Sequence, residues 1–216
     1  LLTVKIFLPL FFSLASCLSF AQQNQVALVG GLLIDGSGAE PIPNSIVLID
    51  GDRIEAVGTI GRLSVPDDYQ IVSTEGMTVM PGLWDPHVHL LYNGHPDFGH
   101  WFSTYTDQFA SVTIPASARQ FLMAGVTSVR DLAANTNDIV SVRNKIENGD
   151  LPGSTIYASG SALVPTDAPQ TRSHILPVRD TQAAIAATQE LINAGMDFVK
   201  ILGATPGSQE AMNAIV

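Results

Sequence analysis

From Val26 onward the chain shows two textures of apolar and polar positions. Over residues 26–79, short apolar runs are broken by Gly, Pro, Asn and Asp, the pattern of strands joined by tight turns. Val26-Ala27-Leu28-Val29 and Ser45-Ile46-Val47-Leu48-Ile49 are such runs, and both are expected to be strands. Asp50-Gly51, between the second run and Arg53-Ile54-Glu55-Ala56-Val57, is a two-residue hairpin signal. This stretch is expected to form a small antiparallel sheet unit that closes its own core poorly. From Met80 the chain alternates strand-length apolar runs with helix-length stretches, which predicts a parallel α/β fold. Strands are expected around His87, over 127–130, over 155–158 and over 198–202. Helices are expected over 116–124, over 137–148 with Gly149 as the stop, over 181–194 with Thr181 as the cap, and from Ser208 onward. Residues 91–115, rich in aromatics and Gly, read as a loop.

The N-terminus belongs to neither texture. Lys5 precedes Ile6-Phe7-Leu8-Pro9-Leu10-Phe11-Phe12, and small residues lead to Ser19-Phe20-Ala21. One positive charge, a short apolar stretch and a small-x-small exit predict a signal peptide over 1–21, and so a periplasmic or secreted protein. The stretch is too short and broken for a membrane span. Leu14-Ala15-Ser16-Cys17 also fits a lipoprotein box, which makes a lipid anchor on Cys17 the alternative to cleavage after Ala21. Cys17 is the one cysteine, so residues 22–216 have neither disulfide nor thiol chemistry. A formal charge of −10 argues against nucleic acid and anionic membranes as partners. A hydrophobic content of 46% with 14% charged residues indicates a core-rich globular chain.

The chemistry concentrates in Met80-Pro81-Gly82-Leu83-Trp84-Asp85-Pro86-His87-Val88-His89. Side chains alternate along a strand, so His87 and His89 point the same way, with Asp85 one step before them. Two imidazoles on one strand make half of a divalent-metal site, the plainer alternative being polar histidines at a strand end. Lys200 is the second anchor. In Phe198-Val199-Lys200-Ile201-Leu202 it falls on a strand expected to be buried on both faces, where an ammonium is costly. Burial favours its neutral, nucleophilic amine. The alternative is a lysine snorkelling from a strand end, or paired with a buried carboxylate.

These segments resemble the amidohydrolase superfamily of metal-dependent hydrolases, which includes imidazolonepropionase, dihydroorotase, dihydropyrimidinase and prolidase-like enzymes. The Pro-Gly-x-x-Asp-x-His-x-His run looks like its first barrel strand. Gly125-Val126-Thr127-Ser128-Val129-Arg130-Asp131 looks like the second, and Gly195-Met196-Asp197-Phe198-Val199-Lys200-Ile201 like the fourth. Gly30-Gly31-Leu32-Leu33-Ile34-Asp35-Gly36 and the strands around Asp50-Gly51 resemble the small β domain that precedes that barrel. The resemblance implies an α/β fold: a small β-sandwich-type domain over 22–79, then about the first four βα units of a (β/α)8 barrel over 80–216. A whole barrel needs roughly 250 residues, so the chain is expected to be an N-terminal fragment, inert as it stands. The resemblance further implies that His87, His89 and Lys200 are metal ligands, Lys200 as a CO2-derived carbamate bridging two divalent ions, with Zn2+ the expected metal. A metal-bridging hydroxide would then cleave a C–N bond of a small-molecule substrate: a dipeptide, an N-acyl amino acid or a cyclic amide. The general acid/base aspartate and further histidine ligands are expected beyond Val216, and the intact enzyme is expected to be a homo-oligomer. Two other readings are a mononuclear imidazolonepropionase- or deaminase-like enzyme, against which Lys200 argues, and a non-catalytic scaffold that keeps the fold.

Weaker candidates surround this set. Asp85 is expected to support the histidine geometry. Asp131, at the mouth end of the second strand, is either a residue orienting a ligand histidine or the partner of Arg130 in an ion pair. His174, in the segment 164–177, either touches substrate or is a surface histidine. His95 and His100 line the pocket mouth with Tyr92 and Trp101, or are loop residues in water.

Overall fold

A computed structural model describes residues 25–92, 96–165 and 172–203. The segment 1–21, His95 and the helix expected from Ser208 lie outside the described residues. The chain divides into two compact units between Pro81 and Gly82.

The first unit is built from β1 (Gln25–Val29), β2 (Leu32–Leu33), β3 (Ser45–Asp50), β4 (Arg53–Thr59), β5 (Gln70–Ser73) and β6 (Thr78–Val79). Asp50 pairs with Arg53, so Gly51 and Asp52 make the β3–β4 turn, with Gly51 at φ +59° as such a turn requires. The sheet order is β4-β3-β1-β5, and its register corrects the antiparallel expectation. The β1–β3 and β3–β4 pairs are antiparallel, but β1 pairs β5 in parallel, Ala27 opposite Ile71. A separate parallel pair joins β2 to β6. Ala27, Ile46, Leu48 and Tyr69 form the small core of this unit.

In the second unit β7 (Leu83–Val88), β8 (Val126–Asp131) and β9 (Thr155–Ala158) form a parallel sheet in sequence order. Between β7 and β8 the expected loop is largely helical. It contains α1 (Phe98–Thr104), a 3-10 turn at Thr106–Gln108, a π turn at Phe109–Thr113 and α2 (Ile114–Met123). Pro115 has no N–H to give the Ser111 carbonyl, and the wider turn runs up to it, Ile114 N donating to the Phe109 carbonyl. Next comes α3 (Thr136–Glu147), capped by the Asn135 side chain, which accepts from the amides of Asn137 and Asp138. After β9 come β10 (Ala162–Pro165) and β11 (Ile175–Val178), paired in parallel. Last is α4 (Thr181–Asn193), whose cap is Asp180 rather than Thr181. The expected fourth strand is reduced to a single parallel bridge between Leu163 and Ile201, flanked by Leu163 N to Lys200 O at 2.8 Å and Leu202 N to Leu163 O at 2.9 Å. Val88, Leu90, Phe109, Ile114, Val129, Ile139, Val142 and Ile156 pack as one core between sheet and helices. Among the described residues, no helix is long and apolar enough to cross a membrane.

Gly82 opens β7 against the strand beside it. A Cβ there would stand 2.1 Å from Thr127 Oγ1 and 2.3 Å from its Cγ2. Gly82→Ala is expected to destabilise this unit by about 1–3 kcal/mol through overpacking. Thr127→Ala, added to it, should restore most of the loss in urea unfolding; an unchanged midpoint in the single variant would refute the contact.

Candidate active site

The site is assembled where β7 and β8 end. His87 is the penultimate residue of β7 and His89 the first beyond it, and their ring centroids are 5.5 Å apart at 66°. A register irregularity between Asp85 and Val88 breaks strict alternation at this point. Asp85 acts on the backbone: its Oδ1 accepts from the His87 amide at 3.0 Å, bracing the bulged stretch. His87 is exposed and His89 partly buried, with its Nδ1 enclosed and without a hydrogen-bond partner. Burial lowers the basicity of His89, and the charges of His87 and Lys200 lower it further. Lys200 therefore lies within electrostatic reach of His89.

Asp131 ends β8 with no exposed surface (0%) and is tied to the same strand end. Its Oδ1 accepts from the amide of Leu90, the residue after His89, at 2.7 Å, while its Oδ2 has no partner. Burial pushes its carboxyl up to about 7, offset in part by the amides of Leu90 and Ala134. The ion-pair alternative is not what the structure shows. The Arg130 guanidinium lies over the Phe198 ring at 4.6 Å, and among the described residues no ion pair joins it to Asp131.

His174 corrects the surface reading. It is 2% exposed, stacks on Phe102 with centroids 4.4 Å apart, and brings Nε2 to 3.4 Å from Tyr92 Oη. The segment is pinned inward because Ala162 N donates to the His174 carbonyl while Asn135 Nδ2 and Ser161 Oγ donate to the Ser173 carbonyl. Burial, then the Arg172 and His89 charges, push the imidazole down to about 4, so it is neutral at physiological pH. Tyr92 links the two histidines, its ring 5.1 Å from His89 and 6.1 Å from His174. Trp101 is buried with its indole N–H donated to the Leu91 carbonyl, whereas His100 is an exposed residue of α1 whose ring meets Thr104 and Tyr105. Phe102 escaped sequence reasoning, although Phe98 and Phe102, and Trp101, Tyr105 and Phe109, recur at the four-residue spacing of a helix face.

Among the described residues, no three His, Cys, Asp or Glu side chains gather to hold a metal ion. The nitrogen donors nonetheless fit one in part: two neighbouring imidazoles, one of them, His89, with a buried, unpartnered ring nitrogen and within electrostatic reach of the Lys200 side chain.

A model of the amidohydrolase family matches residues 78–211, which take in every one of these groups. The chain belongs to the amidohydrolase family. An ochratoxinase from Aspergillus niger is 34% identical to this chain over 148 residues, 64% of the chain and 28% of that enzyme. An imidazolonepropionase from Alkaliphilus oremlandii is 42% identical over 57 residues, 24% of the chain and 13% of that enzyme. Among solved structures, a prolidase complexed with N-methylphosphonate-L-proline superposes with a TM-score of 0.71 at 26% identity, covering 89% of this chain and 52% of the prolidase. The chain thus spans little more than a quarter of the length of the ochratoxinase it matches.

Proposed function

We propose that the intact protein is a metal-dependent hydrolase of C–N bonds in small amides, with His87, His89 and Lys200 among its metal ligands. On this reading β7, β8, β9 and the backbone at Ile201 are the first strands of a (β/α)8 barrel, and the site opens at their C-terminal ends. The observation that carries it is the histidine pair: adjacent rings, an enclosed His89 Nδ1 without a partner, and the Lys200 charge bearing on His89. Divalent ions held there would supply Lewis acidity and a water acidified toward neutrality, with Lys200 contributing as a carbamate. The rest of the chain's part is positioning. Asp85 and Asp131 fix the amides of His87 and Leu90 on either side of the ligand stretch. Neutral His174, buried on Phe102 and close to Tyr92 Oη, would act on the site through Tyr92, whose ring also meets His89. Ochratoxinase and prolidase among the similar proteins support an amide- or peptide-type substrate, a dipeptide, N-acyl amino acid or cyclic amide. The leader-like sequence of residues 1–21 supports export.

The test is hydrolysis of a panel of dipeptides, N-acyl amino acids and cyclic amides by the intact protein, alongside its metal content. About two divalent ions per chain are expected, with activity lost to a chelator and regained with Zn2+. Bound metal without hydrolysis of any amide would favour the scaffold reading, and hydrolysis indifferent to chelation would exclude a metal mechanism.

A further inference from the structure

A cavity of about 700 Å3 opens beside His89, and the hydrolysis proposed above leaves most of its wall without a role. Tyr92, Trp101, Tyr105 and Phe121 supply its aromatic faces, and Gln108 and Gln120 its polar groups. Among the described residues no Asp, Glu, Lys or Arg lines it, although the chain as a whole carries a formal charge of −10. Its aromatic wall is fixed before any ligand arrives. Trp101 packs against Tyr105 at 4.9 Å and stacks on Phe109 at 5.8 Å and 27°. Its indole N–H is already spent on the Leu91 carbonyl at 3.0 Å, which ties the wall to the stretch that follows His89. Gln108, Val112, Ala116 and Gln120 also line it, in steps of four from the end of the 3-10 turn through the π turn into α2.

We propose that this cavity is the subsite for an uncharged aromatic group of the substrate, so that the site prefers amides bearing a flat, neutral ring beside the scissile bond. The inference rests on the reading of His89 as a ligand of a hydrolytic metal site. A carboxylate-bearing ring seated among these aromatic faces would need a cationic side chain there, and among the described residues the lining has no Lys or Arg. A ring meets preorganised aromatic edges and faces, each such pair adding to simple burial. The volume falls within the range of small-molecule sites, and the two glutamines can hydrogen-bond a substituent without demanding charge.

Equilibrium dialysis against the intact Lys200→Ala variant, where turnover is removed, separates binding from chemistry. The probes are N-benzoylglycinamide, N-(4-carboxybenzoyl)glycinamide and N-acetylglycinamide. The benzoyl amide is expected to bind at least about tenfold more tightly than either of the others. Ala116→Trp and, independently, Val112→Trp fill the cavity from the α2 side and should cut the benzoyl-to-acetyl ratio about tenfold. Equal binding of the carboxybenzoyl amide, or an unchanged ratio in both filled variants, overturns the proposal. So does a fall in melting temperature in both filled variants with no discrimination among the amides in their parent, because protein then occupies the cavity. A protein that discriminates the amides yet hydrolyses none of them, with Lys200 restored, keeps the subsite and refutes the hydrolase. One that hydrolyses all three without discrimination does the reverse.

Discussion

Replacing Lys200 with alanine is expected to cost the intact protein about three orders of magnitude in amide hydrolysis, or about 4 kcal/mol of transition-state stabilisation. Its metal content should fall below two ions per chain at the same time. The fold should survive, because this segment is held by its backbone: Leu163 bonds to the Lys200 carbonyl at 2.8 Å and receives the Leu202 amide at 2.9 Å. A lysine ammonium cannot ligate a cation, so the role requires either the free amine or a carbamate. The carbamate forms when the amine nitrogen bonds the carbon of CO2 and gives up a proton to solvent. Metal uptake by the metal-free protein should therefore depend on dissolved CO2. With 13C-labelled bicarbonate, one carbamate resonance should appear on reconstitution and be missing from Lys200→Ala. Metal uptake indifferent to both CO2 and the substitution would remove Lys200 from the site.

The pH dependence of stability should be nearly flat between about pH 4 and 7 in the unsubstituted protein, because two buried groups oppose one another there. The Asp131 carboxyl is raised from 3.8 to about 7, so the folded protein holds this proton more tightly than the unfolded chain. Its contribution is complete below about pH 4 and is lost as pH rises to 7, a total of about 4 kcal/mol. His174 runs the other way, its imidazole lowered from 6.5 to about 4. Its contribution is complete above about pH 6.5 and is lost as pH falls toward 4, a total of at most about 3 kcal/mol. Asp131→Asn, which keeps an acceptor for the Leu90 amide, should expose the histidine slope and make stability climb with pH. His174→Gln should expose the carboxyl slope and make it fall. Asp131→Ala should lose a further 1–3 kcal/mol or so at every pH by stranding the Leu90 N–H. Urea unfolding across this range reads all four proteins; parallel profiles for the parent, Asp131→Asn and His174→Gln would defeat the assignment.

What the sequence could disclose depended on how local the cause was. Periodicity located β1, β3, β4, β8, β9, α3 and α4 to within a few residues, because each has an apolar face of its own and a turn or cap at its end. The parallel pairing of β1 with β5 was not legible. Gln70-Ile71-Val72-Ser73 is exposed along its whole length, so no alternation marks it, and its partner is far away in sequence. The helical insert was hidden for another reason. Its aromatics repeat at helical spacing, but Gly99 and Pro115 punctuate them, and a loop was the simpler inference. At the site, the His87-x-His89 spacing announced itself, although the rings meet at a strand end where a register irregularity and the Asp85 hydrogen bond, neither legible in the spacing, replace strict alternation. The burial of His174 did not, since it follows from hydrogen bonds to the Ser173 and His174 carbonyls that any residues at those positions would offer.

The consecutive order of β7, β8 and β9 also bears on how the protein is made. Each strand finds its neighbour among residues already synthesised, across α3 between β8 and β9 and across the longer helical insert between β7 and β8. On a ribosome, the paired imidazoles and the carboxyl that braces them can therefore be in place before Lys200 leaves the exit tunnel. The emerging lysine would meet side chains already in position.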